Sequence, residues 1–190
     1  MKSRQQHDEN DRVIQLHIEL MNVVPKVWRR VLVPASVSLP TLHEVLQTAM
    51  GWNNSHAHEF VFGGTTYSDL NAYEDVDDGL LAENFVNLRD ALKAQDFHIF
   101  VYVYDPGDHW IHRVTVEKLQ PEYVELSAPT CIAGENACPP EDVGGTAGYE
   151  EFLEIIGNTE HPERDVTLAW CGGSWDPLAF NLVAVNEELQ

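Results

Sequence analysis

What this chain has least of is positive charge. Eleven lysines and arginines face 31 aspartates and glutamates, for a formal net charge of −20, and such a surface repels a phosphate backbone and disfavours nucleic acid as a partner. Six of the eleven bases, Lys2, Arg4, Arg12, Lys26, Arg29 and Arg30, lie in the first thirty residues. One basic patch, Lys26 to Arg30, therefore stands out from an acidic body. Cysteine is scarcer still: Cys131, Cys138 and Cys171 are an odd number without a CxxC pair, which argues against a secreted disulfide framework and against a zinc ribbon. No run of about 18 apolar residues occurs, so no membrane span is expected. The opening MKSRQQHDENDR lacks the apolar segment of a signal peptide, and a cytoplasmic protein is the expectation. G-x-S-x-G, P-loop and G-x-G-x-x-G motifs are missing too, which removes the familiar nucleophile elbow and nucleotide cradles.

What is present suits one core. With 190 residues and 44% hydrophobic composition, the chain can bury roughly 70% of its extended-chain surface without staples. The strongest periodicity runs from Phe97 to Leu119. Ile99, Val101 and Val103 alternate with Phe100, Tyr102 and Tyr104, an arm apolar on both faces and hence inside a sheet. In the second arm Trp110, His112, Val114 and Val116 alternate with Ile111, Arg113, Thr115 and Glu117, which predicts one buried face. Asp105-Pro106-Gly107-Asp108 is turn chemistry. A loop of Pro106 and Gly107 alone would set Val103 opposite Trp110 and Val101 opposite His112, pointing the histidine inward; a bulge or longer loop is the alternative.

Elsewhere, Ile14, Leu16, Ile18 and Leu20 share one face of an early strand, which Trp28 to Val33 pairs back on. Thr41 and Glu44 resemble a capping box before a helix that Gly51 ends. His56 to Gly63 reads as a strand with His56, His58, Phe60 and Phe62 on one face. Residues 68–90 are acidic and read as a solvated surface insertion, with a helical turn or two from Leu88 to Ala94. A short strand is expected at Tyr123 to Leu126. The stretch from Cys131 to Gly145 reads as an irregular loop fixed by paired prolines and glycines, and a helix follows from about Ala147 to Ile156. Asp176-Pro177 offers a late turn or helix start. The expected fold is α+β: a flexible tail over 1–11, then a single domain over 12–190, an antiparallel-rich mixed sheet carrying two or more helices.

Trp28-Arg29-Arg30, the segment from Thr41 through Gly51-Trp52 to His56-Ala57-His58-Glu59-Phe60, Tyr104 to His112, and Cys138-Pro139-Pro140-Glu141-Asp142-Val143-Gly144-Gly145 with Gly148-Tyr149 occur in an order that resembles the plasmid pRiA4b ORF-3-like family, over about Val13 to Asn186. Pro106 stands where the family favours an aromatic, and Val143 where a third cysteine is common. The resemblance implies a compact α+β domain linked by name to plasmids and mobile elements, and it assigns no reaction.

His56, His58, Asp105, Asp108, His112, Glu141 and Asp142 form the candidate polar cluster. Among them His56, His58 and His112, with Cys131 and Cys138, are the candidate ligands for a divalent metal, since mixed His, Asp and Cys donors suit zinc or another transition ion. Trp28, Arg29 and Arg30 join a flat aromatic surface to the basic patch and are the candidate partner-binding spot. The leading functional reading is a non-catalytic cytoplasmic interaction module for a protein or peptide, with no cofactor. A metal-dependent hydrolase using the His/Asp/Cys cluster and a DNA-associated mobile-element accessory protein are the alternatives.

Overall fold

The computed structural model describes residues 12–73, 79–93, 98–119 and 126–190. The tail over 1–11 and all but the last residue of the strand expected at Tyr123 to Leu126 lie outside them. Among the described residues eight strands form one sheet, β1 Val13–Leu20, β2 Trp28–Pro34, β3 His58–Phe62, β4 Thr65–Ser68, β5 Leu80–Ala82, β6 Ile99–Tyr104, β7 Trp110–Leu119 and β8 Thr130–Glu135. Their order is β5-β4-β3-β6-β7-β1-β2-β8. Every pairing is antiparallel except β4 with β5. Five helices accompany it: α1 Leu39–Met50, α2 Leu88–Lys93, α3 Gly145–Gly157, α4 Arg164–Trp170 and α5 Leu182–Glu188. The α+β, antiparallel-rich architecture is the one expected from the pattern.

The alternation in each strand decides which face carries the core. Ile14, Leu16, Ile18 and Leu20 of β1, Val31 and Val33 of β2, Phe60 and Phe62 of β3, and Phe100, Tyr102 and Tyr104 of β6 are all buried on one side, where Leu42, Val45, Leu46 and Ala49 of α1 join the same cluster. The other side of β1, β2 and β7 is an ion-pair lattice. Glu117 accepts from Arg30 and Gln15, and Glu19 accepts from Arg113 and pairs with Lys26. At the β8 edge the side-chain amide of Asn186 accepts from the Cys131 backbone N–H and donates to its carbonyl, both at 2.8 Å, in place of a neighbouring strand.

Several local expectations are corrected. The central hairpin sets Tyr104 opposite Trp110 and Tyr102 opposite His112, because Asp105 and His109 both adopt the left-handed conformation and lengthen the loop to five residues. Helix α1 starts two residues before Thr41. Ser38 is its N-cap, its hydroxyl accepting from Thr41 N at 3.2 Å, with Pro40 in the first turn; Gly51 closes it as expected, at φ 94°. Part of the acidic segment is sheet rather than insertion, and the Cys131 loop begins as β8.

Arg29 is not a surface residue. It is 2% exposed, lying on the core face of β2, and its guanidinium donates to the carbonyls of Ala49, Trp28, Glu135 and Asn136. Phe180 covers it, with the guanidinium carbon 4.3 Å from the ring centroid. Ala49 is in the last turn of α1, where a cation also meets the negative end of the helix dipole. Trp28 packs against His17 and under Arg30, and Arg30 is bound bidentately by Glu117. Of the expected partner-binding residues Arg29 is thus internal, while Trp28 and Arg30 stay partly exposed with Arg30 paired to Glu117.

Candidate functional site

Three segments distant in sequence meet at one end of the sheet: the bend before β3, the β6–β7 turn, and the loop before α3. Trp52, just past the end of α1, holds them together. Its indole N–H donates to Pro139 O at 3.1 Å, and its rings pack on Tyr104, Trp110 and His112. The Asp108 carboxylate accepts from Gly144 N at 3.1 Å, stitching turn to loop. Gly145 lies so close that a Cβ there would sit 2.7 Å from the Asp108 carbonyl oxygen. Glu141 accepts from Asn53 N at 2.9 Å and from the Tyr104 hydroxyl at 3.1 Å. That phenol is pushed up to about 12, by burial first and by Glu141 second, so it remains a donor.

At this junction His56, Asp105 and Asp142 converge, their ligating atoms all within 4.8 Å of one another. His56 Nε2 lies 3.0 Å from Asp142 Oδ1 and 3.7 Å from Asp105 Oδ2. Asp105 Oδ1 is occupied by the backbone N–H of Gly107 at 2.8 Å and of Asp108 at 3.3 Å, which fixes the carboxylate and turns Oδ2 toward the histidine. His56 Nε2 is closed to solvent yet has no hydrogen-bond partner. An oxygen 3.0 Å away that does not align stands to the side of the nitrogen's lone-pair axis. Atoms bound cis on an ion through bonds of about 2.0–2.2 Å stand roughly 3.0–3.5 Å apart, a spacing that His56 and Asp142 meet at 3.0 Å and that His56 and Asp105 exceed at 3.7 Å. The side chains are 29% (His56), 10% (Asp105) and 71% (Asp142) exposed, so the group opens to solvent on the Asp142 side.

The other expected ligands lie elsewhere. His58 donates to, or pairs with, Glu83 at 2.9 Å in a nearly buried contact, and its ring stacks on His43 at 3.5 Å and 7°. His56 is separated from it because the strand begins only at His58, so the two histidines do not share a strand face. His112 is fully buried between Trp52 and Tyr102, its Nδ1 3.2 Å from Tyr102 O and its Nε2 unpartnered, and burial holds it down to about 4. Cys131 is on β8, five strand positions from β3. The Cys138 thiol is buried, which pushes it up to about 12, and it is not among the donors that gather at His56.

A second polar group, missed in the sequence, underlies the first. The Gln47 amide donates to the Tyr102 hydroxyl at 2.9 Å and its carbonyl accepts from Asn54 N at 3.0 Å. The Tyr102 proton is then left for His43 Nδ1 at 2.8 Å, and His43 Nε2–H donates to Asn54 Oδ1 at 2.6 Å. Burial, with His58 alongside, holds His43 down to about 4, so it is neutral. His43 and Gln47 are four apart on the buried face of α1, and that polar pair inside an apolar stripe was the available signal. Glu83 gave none, sitting within an acidic run. A cavity of about 220 Å³ bordered by His43, Asn54, His56, His58 and Glu83 lies against this network.

Among the described residues no helix is long and apolar enough to cross a membrane. The sequence profile of the plasmid pRiA4b ORF-3-like proteins matches residues 12–184. The chain is 39% identical over 176 residues to the uncharacterized protein y4hQ of Sinorhizobium fredii, covering 92% of this chain and 89% of that one. Its fold is similar to the crystal structure of MM3350 from Methanosarcina mazei Go1, a protein of unknown function, with a TM-score of 0.77 and 33% identity over 90% of this chain and 96% of the other. With the profile spanning nearly all the described sheet and helices, this chain belongs to the plasmid pRiA4b ORF-3-like family.

Proposed function

We propose that this protein is a metal-dependent recognition module: His56, Asp105 and Asp142 would hold one divalent transition cation, whose remaining coordination positions take an oxygen-donor ligand. The observation that carries this reading is the His56 Nε2 atom, buried and without a hydrogen-bond partner although carboxylate oxygens of Asp142 and Asp105 stand 3.0 and 3.7 Å away. One imidazole and two carboxylates suit Mn²⁺, Zn²⁺ or Fe²⁺, and three protein ligands leave at least one position open. Two carboxylates balance the ion's charge, and a net charge of −20 raises the local concentration of cations. Three free thiols support a reducing, cytoplasmic setting.

Recognition is favoured over hydrolysis because the carboxylate next to Asp142 in the chain already accepts two hydrogen bonds. Glu141, the neighbour of Asp142, is bonded to Tyr104 and to Asn53 N. Elemental analysis of freshly purified protein and calorimetric titration with MnCl₂ and ZnCl₂ test the proposal. One ion per chain is expected, with His56→Ala and Asp105→Asn weakening it at least about tenfold. Sub-stoichiometric metal with no saturable binding, or variants that bind as well as the parent, would overturn it. Metal-dependent turnover of esters or phosphoesters would replace recognition with catalysis.

A further inference from the structure

Arg29 carries a whole positive charge into the core, and only partial charges meet it. Its side chain is 2% exposed, and four carbonyls take one N–H on Nε, two on Nη1 and one on Nη2. A guanidinium has five such hydrogens, so a second one on Nη2 is left over. Among the described residues no carboxylate pairs with it, and the ionisable groups that bear on its charge are the thiols of Cys131 and Cys138. A buried cation without a counter-charge is costly to keep. Arg29 also lines a cavity of about 450 Å³ between the end of α1, the Cys138–Glu141 segment and the start of α5. A second spare donor stands on that lining, for Trp175 Nε1 is buried with no hydrogen-bond partner. The Tyr149 hydroxyl beside it, on a residue 1% exposed, has none either, and Phe152 meets both rings at 6.2 and 5.9 Å between centroids. Cys138 is near enough to bear on Arg29 and on Tyr149, which links guanidinium, thiol, phenol and indole into one polar row.

We propose that this cavity is a ligand site distinct from the His56 group, and that it takes a small organic carboxylate with an apolar body. The carboxylate brings Arg29 the full negative charge that carbonyl dipoles do not supply, and its oxygens accept from the spare Nη2 hydrogen and from the Trp175 indole N–H. Hydrogen bonds in which both partners are charged are the strong ones. Met50, Trp52, Pro140 and Phe180 on the same lining give the body an apolar bed, and the volume is that of a site for a small molecule. The two carboxylates of the lining leave room for one more. Glu141 already accepts from Asn53 N and the Tyr104 hydroxyl, and Glu188 is exposed to water. A phosphate is a poorer match, because its second charge and third oxygen go unmet beside those acids.

The test is calorimetric titration of the full chain with sodium hexanoate and with hexanamide, its uncharged counterpart, in EDTA so that no ion at the His56 group holds the carboxylate. One hexanoate per chain is expected, bound about tenfold or more tightly than the amide. Trp175→Phe keeps the ring and removes the N–H, and should weaken hexanoate about three- to tenfold. The same variant identifies the Trp175 indole signal in a proton–nitrogen correlation spectrum of the parent, and hexanoate should shift that signal while hexanamide leaves it in place. Ala184→Leu, at a half-buried position of the lining on α5, fills the cavity without touching the donors and should weaken hexanoate about tenfold or more, which keeps the test open if Trp175→Phe does not fold. No saturable hexanoate binding up to about 10 mM, equal binding of the amide, an unmoved Trp175 signal, or undiminished binding in Ala184→Leu would each overturn the site, and none of these outcomes bears on the metal centre.

Discussion

At the scale of single residues the buried histidines set how the protein responds to acid. His43 and His112 are both held down to about 4 from an ordinary 6.5, chiefly by burial, and half-exposed His17 is lowered by the same cause. A group whose folded value is depressed in this way is neutral in both states at high pH. As pH falls below 6.5 the unfolded chain takes the proton first, so stability is intact above about 7 and is lost between 6.5 and about 4, by about 3 kcal/mol for each buried ring. Glu117, held down to about 2 by Arg30, contributes stability above 4.5 that is lost only below it, outside the histidine window. Urea unfolding from pH 7.5 to 4.5 should therefore show a falling stability. His112→Phe should flatten that fall by about one proton whatever its effect on the plateau. Arg29 is the other sensitive residue. Arg29→Met leaves four carbonyls without their donor and should cost about 3–5 kcal/mol in the same measurement, with Arg29→Lys recovering part of it.

At the scale of elements, what matters is how two loops are held in register. Gly145 has φ 68° and touches the Asp108 backbone. Gly145→Ala combines a left-handed alanine with a collision against main chain, and should cost about 1–3 kcal/mol. It should also weaken Mn²⁺ binding, because it pushes the loop bearing Asp142 away from the turn bearing Asp105. Unfolding and titration of the one variant read both effects. The same junction marks how far the sequence was legible. Period-two alternation was enough for β1, β2, β6 and β7, since each has one face that is plainly apolar, whereas nothing in the sequence required the turn and the cysteine-proline loop to meet. Short edge strands were not legible. In β4 and β5, three or four residues of Thr, Tyr, Leu and Ala carry too few alternations to outweigh the acids around them, and β8 is interrupted by Gly134, which sits there because a Cβ would collide with Arg29 and Phe180. Helix α4 was missed because nothing on it is buried. The metal group was half legible: His56, Asp105 and Asp142 were all named, but a strand drawn two residues too long tied His56 to His58, and only the bend before β3 shows that they part.

At the scale of the molecule the acidic field and the proposed ion belong together. Binding to the folded state alone should raise stability by about 2.7 kcal/mol when the ion is present at 100 times its dissociation constant. For a chain of this size that is a rise in Tm of roughly 5–10 °C, absent in Asp105→Asn, and scanning calorimetry with and without MnCl₂ would read it. Because exposed carboxylates act at a distance, the affinity should also fall as salt rises from low ionic strength, within the range where screening lengths shrink from about 30 to 8 Å. A last consequence concerns self-assembly and rests on Asn186. By occupying the donor and acceptor of Cys131, a single carboxamide denies a second copy the template it would need to zip on as a ninth strand. Asn186→Ala should uncover that template, and light scattering across a concentration series should then register a larger mean mass than the parent protein shows at the same concentrations.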